Sequence, residues 1–221
     1  MRREGTLEEI SDGRLYTSND MVRAGCGDCA GCSSCCRTVG NTIILDPYDI
    51  YNLTVNLKTS FMELLSEKIE LNVADGVILP NIVVKENGGC GFLDKNGRCG
   101  IHGFRPGFCR LYPLGRYYVD GGFKYILLKD ECKKENRTKV KVKSFLGIEN
   151  LKAYEEYICD WHYYIKETEQ IIADSMTKGN DSEAKAVSMS VLQKFFTEPY
   201  VKGDFYEQYY ERRYDKGYDC R

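Results

Sequence analysis

Five cysteines lie within eleven residues near the amino-terminal end, in the run CGDCAGCSSCC over residues 26–36. They are Cys26, Cys29, Cys32, Cys35 and Cys36. The first four follow one another at a strict spacing of three, and Gly25, Gly27 and Gly31 disfavour a helix through the run. Because thiolates are strong ligands for soft metals, a loop this dense in cysteine favours a metal ion or an iron–sulfur cluster.

The alternative use of these cysteines is in disulfide bonds. The chain has 11 cysteines, an odd number that precludes complete pairing. Residues 1–16 lack the apolar segment of a signal peptide, so we expect a cytoplasmic location, where thiols stay reduced. A net charge of −2 and the lack of a long apolar segment argue against nucleic-acid binding and a membrane span.

The sequence predicts an α+β fold in three parts. A polar lead-in, residues 1–25, precedes an irregular cysteine-rich metal-binding core with short β-hairpins, residues 26–145. A helical carboxyl-terminal region, residues 146–221, follows. In the lead-in, residues 7–10 are expected to form a short helix. In the core, Asp46 and Pro47 predict the start of a helix, because Asp is a good N-cap and Pro suits the first helical turn.

The other elements predicted within the core are short. A second helix is expected over 60–70, and strands are expected over 41–45 and over 77–84, which Pro80 breaks or places at an edge. Hairpins are expected at 90–99, about Asn96-Gly97, and at 117–128, about Asp120-Gly121-Gly122. The lysine-rich segment 133–143 alternates like a solvent-exposed edge strand, although such a segment could also contact RNA or phosphate.

Four further cysteines fall at the ends of these short elements, where metal ligands commonly lie. They are Cys90, Cys99, Cys109 and Cys132. A bend at Pro106-Gly107, rather than a regular element, is expected before Cys109. In extended backbone the adjacent Cys35 and Cys36 would point to opposite sides, so binding one mononuclear ion with both would require strain. We therefore expect that one of them turns to a second centre or to the core, or that the pair spans a multinuclear cluster. Eight cysteines, four from each group, match two tetrathiolate sites or one cluster with supporting thiols.

Two motifs carry a resemblance to a known family. The segment CAGCSSCC at 29–36 resembles the motif of the YkgJ-like CxxCxxCC cysteine-cluster family, and CGFLDKNGRCGIHGFRPGFCRLYPLG at 90–115 is similar to its second signature. The resemblance implies a zinc- or iron-chelating domain, distantly similar to the cysteine-rich part of flagellin lysine N-methylase. Cys26 lies outside the motif, and His102 stands where the family often has tyrosine, which argues against an obligatory ligand there.

The ligand spacing favours an iron–sulfur cluster over Zn²⁺. C-x2-C-x2-C is the spacing of bacterial ferredoxin loops, although the proline that follows their last cysteine is missing. Arg105, Arg110 and Arg116 could offset thiolate charge, bind an anionic substrate or pair with acids. We therefore expect an electron-transfer or partner-binding metalloprotein with a protein partner. The alternatives are a protein lysine methylase using S-adenosylmethionine, despite the lack of a GxGxxG loop, and a structural zinc interaction module.

Overall fold

The computed structural model describes residues 5–27, 29, 32–38, 43–86 and 88–214. Its fold is α+β, as predicted, with short antiparallel strand pairs among helices. The strands are β1 (Met21–Gly25), β2 (Ile69–Ala74), β3 (Val77–Ile82), β4 (Leu114–Val119), β5 (Gly122–Leu127) and β6 (Thr138–Lys141). The helices are α1 (Leu7–Ile10), α2 (Ser34–Thr38), α3 (Pro47–Leu57), α4 (Phe61–Glu67), α5 (Gly107–Leu111), α6 (Val142–Leu146), α7 (Leu151–Thr177), α8 (Asp181–Leu192) and α9 (Phe205–Tyr214). A 3₁₀ turn covers His102–Phe104, and a π-helical turn covers Gln193–Thr197.

Several local predictions are confirmed. Helix α3 begins directly after Asp46, whose side chain accepts a hydrogen bond from the Asp49 backbone N–H at 3.0 Å. Strands β4 and β5 form the predicted hairpin, and its turn residues Asp120 and Gly121 have φ angles of +51° and +73°. The predicted helix at 7–10 is α1.

The second predicted helix is shorter than expected. Ser60 caps α4, which ends at Glu67, whereas residues 69 and 70 belong to β2. Ile69 pairs with Ile82 of β3 and is fully buried, so long-range strand pairing outweighs the local helical pattern. Pro80 lies within β3. In the strand predicted over 41–45, Ile44 bridges to residue 81, while residues 41 and 42 lie outside the described residues.

The pairing of β1 with β6 joins the lead-in to the far end of the cysteine-rich core. Val22 and Ala24 of β1 are buried, and Gly25 pairs with Thr138. The predicted edge strand is therefore present as β6, with Lys139 and Lys141 exposed, and residue 143 lies in α6. The division of the chain at residues 25 and 145 stays a prediction.

The carboxyl-terminal region is helical, as predicted, and its tyrosines pack in the core. Tyr157 and Tyr209 are fully buried with ring centroids 4.6 Å apart, and Trp161 is buried beside them. Among the described helices, none is both long and apolar enough to cross a membrane. These buried tyrosine rings therefore form part of the hydrophobic core.

Helix α7 also fixes the elements that carry the cysteines. The Tyr157 hydroxyl accepts a hydrogen bond from the Tyr48 backbone N–H at 3.1 Å and donates one to Asp46 at 3.1 Å, which holds the start of α3. The Tyr154 hydroxyl lies so close to Gly107 that a Cβ there would be 2.3 Å away. Helices α3 and α5 are thus packed directly against α7.

Candidate metal centre

Seven of the eight predicted ligands line a single cavity of about 260 Å³. They are Cys29, Cys32, Cys35, Cys36, Cys90, Cys99 and Cys109. Every cysteine in the described part of the chain is a free thiol. The two cysteine groups of the sequence therefore meet at one cavity.

The first group lies in a turn followed by a short helix. Gly27 and Cys29 have φ angles of +66° and +58°, and the Cys32 backbone N–H donates to the Cys29 carbonyl at 2.9 Å. Cys35 and Cys36 then lie in α2, where consecutive side chains are about 100° apart rather than opposite. The expectation that these two thiols point to opposite sides is therefore wrong, because the backbone there is helical and both line the cavity.

The second group begins in the segment 90–99, where a hairpin about Asn96-Gly97 was expected. The segment contains a turn and isolated bridges instead of two paired strands, and Cys90 bridges to Val84. Gly97 has a φ of +71°, and an isolated antiparallel bridge joins Leu93 to Cys99. The Cys90 backbone N–H donates to the Cys36 carbonyl at 2.8 Å. This hydrogen bond directly joins the two cysteine groups, which are separated by more than fifty residues of sequence.

Cys109 lies in α5, so the expectation of a bend without regular structure is wrong at this point. Pro106 precedes the helix, and the Gly107 backbone N–H donates to the Asp49 carboxylate at 2.7 Å. Asp49 is itself buried at the start of α3. This hydrogen bond and the close packing against Tyr154 fix the position of the Cys109 backbone.

Cys132 is the one predicted ligand that does not line the cavity. It lies beyond the end of β5, rather than at the end of the hairpin as expected. The preceding residue, Glu131, accepts a hydrogen bond from the Tyr112 hydroxyl through its carboxylate at 2.9 Å, and also through its carbonyl. Since Tyr112 lines the cavity, Cys132 lies one residue from a contact with the cavity wall.

Burial and neighbouring thiols control the protonation of these cysteines. Burial raises the pKa of Cys90, Cys99 and Cys109, and the charge of Asp49 adds to this effect at Cys109. A hydrogen bond from the Cys36 thiol lowers the pKa of Cys35 to about 6, and the same bond raises the pKa of Cys36. The hydrogen bond therefore favours the thiolate form at Cys35 and the thiol form at Cys36.

Two arginines and a histidine share the cavity with the thiols. Arg98, His102 and Arg105 all line it, and Arg105 Nη1 lies 3.0 Å from Nδ1 of His102. Burial and then Cys26 raise the pKa of Cys29 to about 12, and the charge of Arg105 opposes this shift. Of the three arginines that flank Cys109, Arg105 is thus the one beside the thiols.

The other two arginines hold backbone and aromatic groups. Arg110 donates to the carbonyls of Gly103 and Leu146, at 3.0 and 3.3 Å. Arg116 donates to the Tyr154 hydroxyl at 2.8 Å and lies over the Tyr154 ring. Their contacts account for them without a role at the thiols.

The cavity is not closed around a metal. Within the described residues, no three Cys, His, Asp or Glu side chains form a group that could hold a metal ion. Metal binding to this donor set would therefore require the thiols to move together and release protons, as in sites that form on binding. The donor chemistry nevertheless fits a soft metal, because the described side chains that line the cavity offer seven sulfurs, one imidazole and one phenol, and none of them is a carboxylate.

Sequence reasoning missed some residues of the site. Tyr112 was not singled out from the sequence. Asp49 was also missed, although the D-x-x-D spacing at 46–49 is a signal for the capping box that Asp49 forms with Asp46. His102 was set aside as an obligatory ligand, yet it lines the cavity. Cys159 lies on α7, where its thiol donates to the Gly121 carbonyl at 3.3 Å, and Cys220 lies outside the described residues.

Comparisons with known proteins agree with the chemistry of the cavity. No curated protein and no solved structure matches the chain. A family model described as "CxxCxxCC: Putative zinc- or iron-chelating domain" matches residues 28–143, which include all eight predicted ligands. Since this match covers more than half of the 221 residues, the chain belongs to the CxxCxxCC family of zinc- or iron-chelating domains.

Proposed function

We propose that this protein is a cytoplasmic metalloprotein that carries an iron–sulfur cluster and passes electrons to a protein partner. The observation that carries the proposal is the convergence of seven thiols on one cavity. Zn²⁺ as a structural ion is the alternative cofactor. When bound, an iron–sulfur cluster supplies one-electron transfer, whereas structural zinc supplies only cross-links.

The number of thiols favours a multinuclear centre. A structural zinc site takes four ligands in a closed tetrahedron, whereas seven thiols surround about 260 Å³ of space here. One zinc ion would leave three of these thiols unused. A cluster with supporting thiols, or two metal ions, uses the donor set more completely.

The charges around the cavity also suit a thiolate-rich centre. Several thiolates on one centre bring a large negative charge into a partly buried site, which is costly without compensation. Arg98 and Arg105 supply positive charge at the cavity wall. The two arginines would therefore stabilise the protein when the metal centre is bound.

A partner could approach the side of the cavity formed by the first cysteine group. Gly27 and Arg37 are exposed, and Cys29 and Cys32 between them are only half-buried. A centre held there would lie close to the protein surface. This placement suits electron transfer between proteins.

The proposal is tested by metal analysis of protein purified without oxygen. We expect a coloured preparation that contains iron and acid-labile sulfide, and whose visible absorbance is bleached reversibly by dithionite. Cys109→Ser should lose the colour, whereas Cys159→Ser, which changes a thiol outside the cavity, should keep it. A colourless preparation with stoichiometric zinc would replace the cluster by structural zinc. Calorimetric binding of S-adenosylmethionine would instead favour the methylase alternative.

A further inference from the structure

Cys26 has no place in the family motif, yet its thiol lies beside a predicted ligand. The Sγ atoms of Cys26 and Cys29 are 3.7 Å apart. Two thiolates that bind one tetrahedral metal at about 2.3 Å are about 3.8 Å apart, whereas a disulfide has a bond of about 2.05 Å. The pair thus has the separation of two sulfur ligands on one metal.

The surroundings of Cys26 differ from those of a packing residue. Cys26 is buried, with 9% of its surface exposed. Cys90 belongs to the main apolar cluster, and Cys36, Cys99 and Cys109 pack against it, but Cys26 is in neither of the two apolar clusters formed by the described residues. Cys26 is therefore buried without belonging to either apolar cluster.

The backbone holds Cys26 in place at the end of a strand. Gly25 of β1 pairs with Thr138 of β6 so closely that a Cβ at Gly25 would lie 2.3 Å from the Thr138 hydroxyl oxygen. After this fixed point, Gly27 and Cys29 both have left-handed φ angles, and the Cys29 thiol lies beside the Cys26 thiol. A non-glycine residue with positive φ carries a conformational cost, which a ligand pair would offset.

We propose that Cys26, which does not itself line the cavity but contacts Cys29 on its wall, is a further thiol of the metal centre and binds the metal together with Cys29 as a CxxC pair. The inference rests on the proposed metal-binding function and extends it to a residue outside the family motif. Each thiol releases its proton to solvent when it binds the metal. With Cys26, the first group reads C-x2-C-x2-C-x2-C-C, and its first ligand is anchored to the β1–β6 sheet.

The test uses the full chain, Co²⁺ alone as the probe, and a phosphine reductant without oxygen. The intensity of cobalt–thiolate absorbance scales with the number of cobalt–sulfur bonds. We expect both Cys26→Ser and Cys26→Ala to lower this intensity and to weaken Co²⁺ affinity by more than about tenfold. Cys159→Ser is the matched control and should behave like the unsubstituted protein.

The alanine variant separates a ligand from a small packing residue. If Cys26 only fills space or only hydrogen-bonds to Cys29, Cys26→Ala will keep the absorbance and affinity of the unsubstituted protein, and the inference is wrong. If the unsubstituted protein binds no cobalt, the proposed function fails instead.

A measurement on the unsubstituted chain covers the case in which neither variant folds. Co²⁺ should slow the alkylation of Cys26 by N-ethylmaleimide and leave that of Cys159 unchanged, as followed by peptide mass spectrometry. Equal rates at Cys26 with and without cobalt would overturn the inference.

Discussion

The contact between Gly107 and Tyr154 gives a prediction about how the Cys109 helix is held. Gly107 is the first residue of α5, and a Cβ added there would lie 2.3 Å from the Tyr154 hydroxyl oxygen. That hydroxyl cannot move easily, because the Tyr154 side chain is 1% exposed and accepts a hydrogen bond from Arg116 at 2.8 Å. Gly107→Ala should therefore force α5 away from α7.

The magnitude follows from two opposing effects. Overpacking of this kind costs about 1–3 kcal/mol. Replacing glycine by alanine in a helix recovers about 0.4–1 kcal/mol, because the unfolded chain loses freedom. We expect a net destabilisation of about 1–2 kcal/mol from Gly107→Ala.

A double-mutant cycle isolates the contact. Tyr154→Phe removes the hydroxyl oxygen and leaves the ring carbon that bore it 3.5 Å from the new Cβ, an ordinary contact distance. Tyr154→Phe alone should cost about 1.5–3 kcal/mol, since it breaks a hydrogen bond to a charged group. In that background, Gly107→Ala should be neutral or slightly stabilising, which gives a coupling energy of about 1–2 kcal/mol.

The assay is urea unfolding of the metal-free, reduced chain, followed by the fluorescence of Trp161, the single tryptophan. Cobalt binding is the second readout, because a displaced α5 moves Cys109. Gly107→Ala should weaken cobalt binding, and Tyr154→Phe should restore part of it in the double variant. An equal cost of Gly107→Ala in both backgrounds would refute the argument.

Three further predictions concern the charges and thiols of the site. Arg105→Gln should raise the pKa of Cys35, because it removes a positive charge that favours the thiolate. Since zinc binding displaces the thiol proton, the pH of half-maximal zinc binding should then move upward. Lys139→Gln, which changes an exposed lysine, is the control. In the metal-free protein at pH 7, iodoacetamide should modify Cys35 faster than Cys109, because the pKa of Cys35 is about 6 and that of Cys109 is raised. Peptide mass spectrometry measures the two labelling rates, and faster labelling of Cys109 would contradict the prediction. Cys132→Ser should reduce cobalt–thiolate absorbance less than Cys109→Ser, since Cys132 lies outside the cavity; an equal loss in titrations of both variants would show that the loop closes on binding.

The elements that the sequence predicted correctly are those with strong local signals. Asp46 and Pro47 start α3, and Asp120 with Gly121 forms the turn between β4 and β5. In each case the deciding interaction lies within a few residues. The pairing of β1 with β6 joins segments more than a hundred residues apart, and no local sequence pattern predicts it.

The same distinction applies to the site. The spacing of the cysteines identified which thiols to consider, and seven of eight converge. What spacing could not provide was the backbone at residues 34–38, where a short helix brings Cys35 and Cys36 to the same cavity. The hydrogen bond between Cys90 and the Cys36 carbonyl is likewise a property of the folded chain.

The family match ends at residue 143, but the support of the site does not. Tyr157 of α7 binds Asp46, and Asp46 and Asp49 cap the same helix in a reciprocal box. Asp49 in turn accepts the hydrogen bond from Gly107 that fixes the start of α5, two residues before Cys109. A continuous path of hydrogen bonds and close contacts therefore runs from the carboxyl-terminal region to a predicted ligand. The position of Cys109 therefore depends on α7 as well as on the cysteine-rich segment itself.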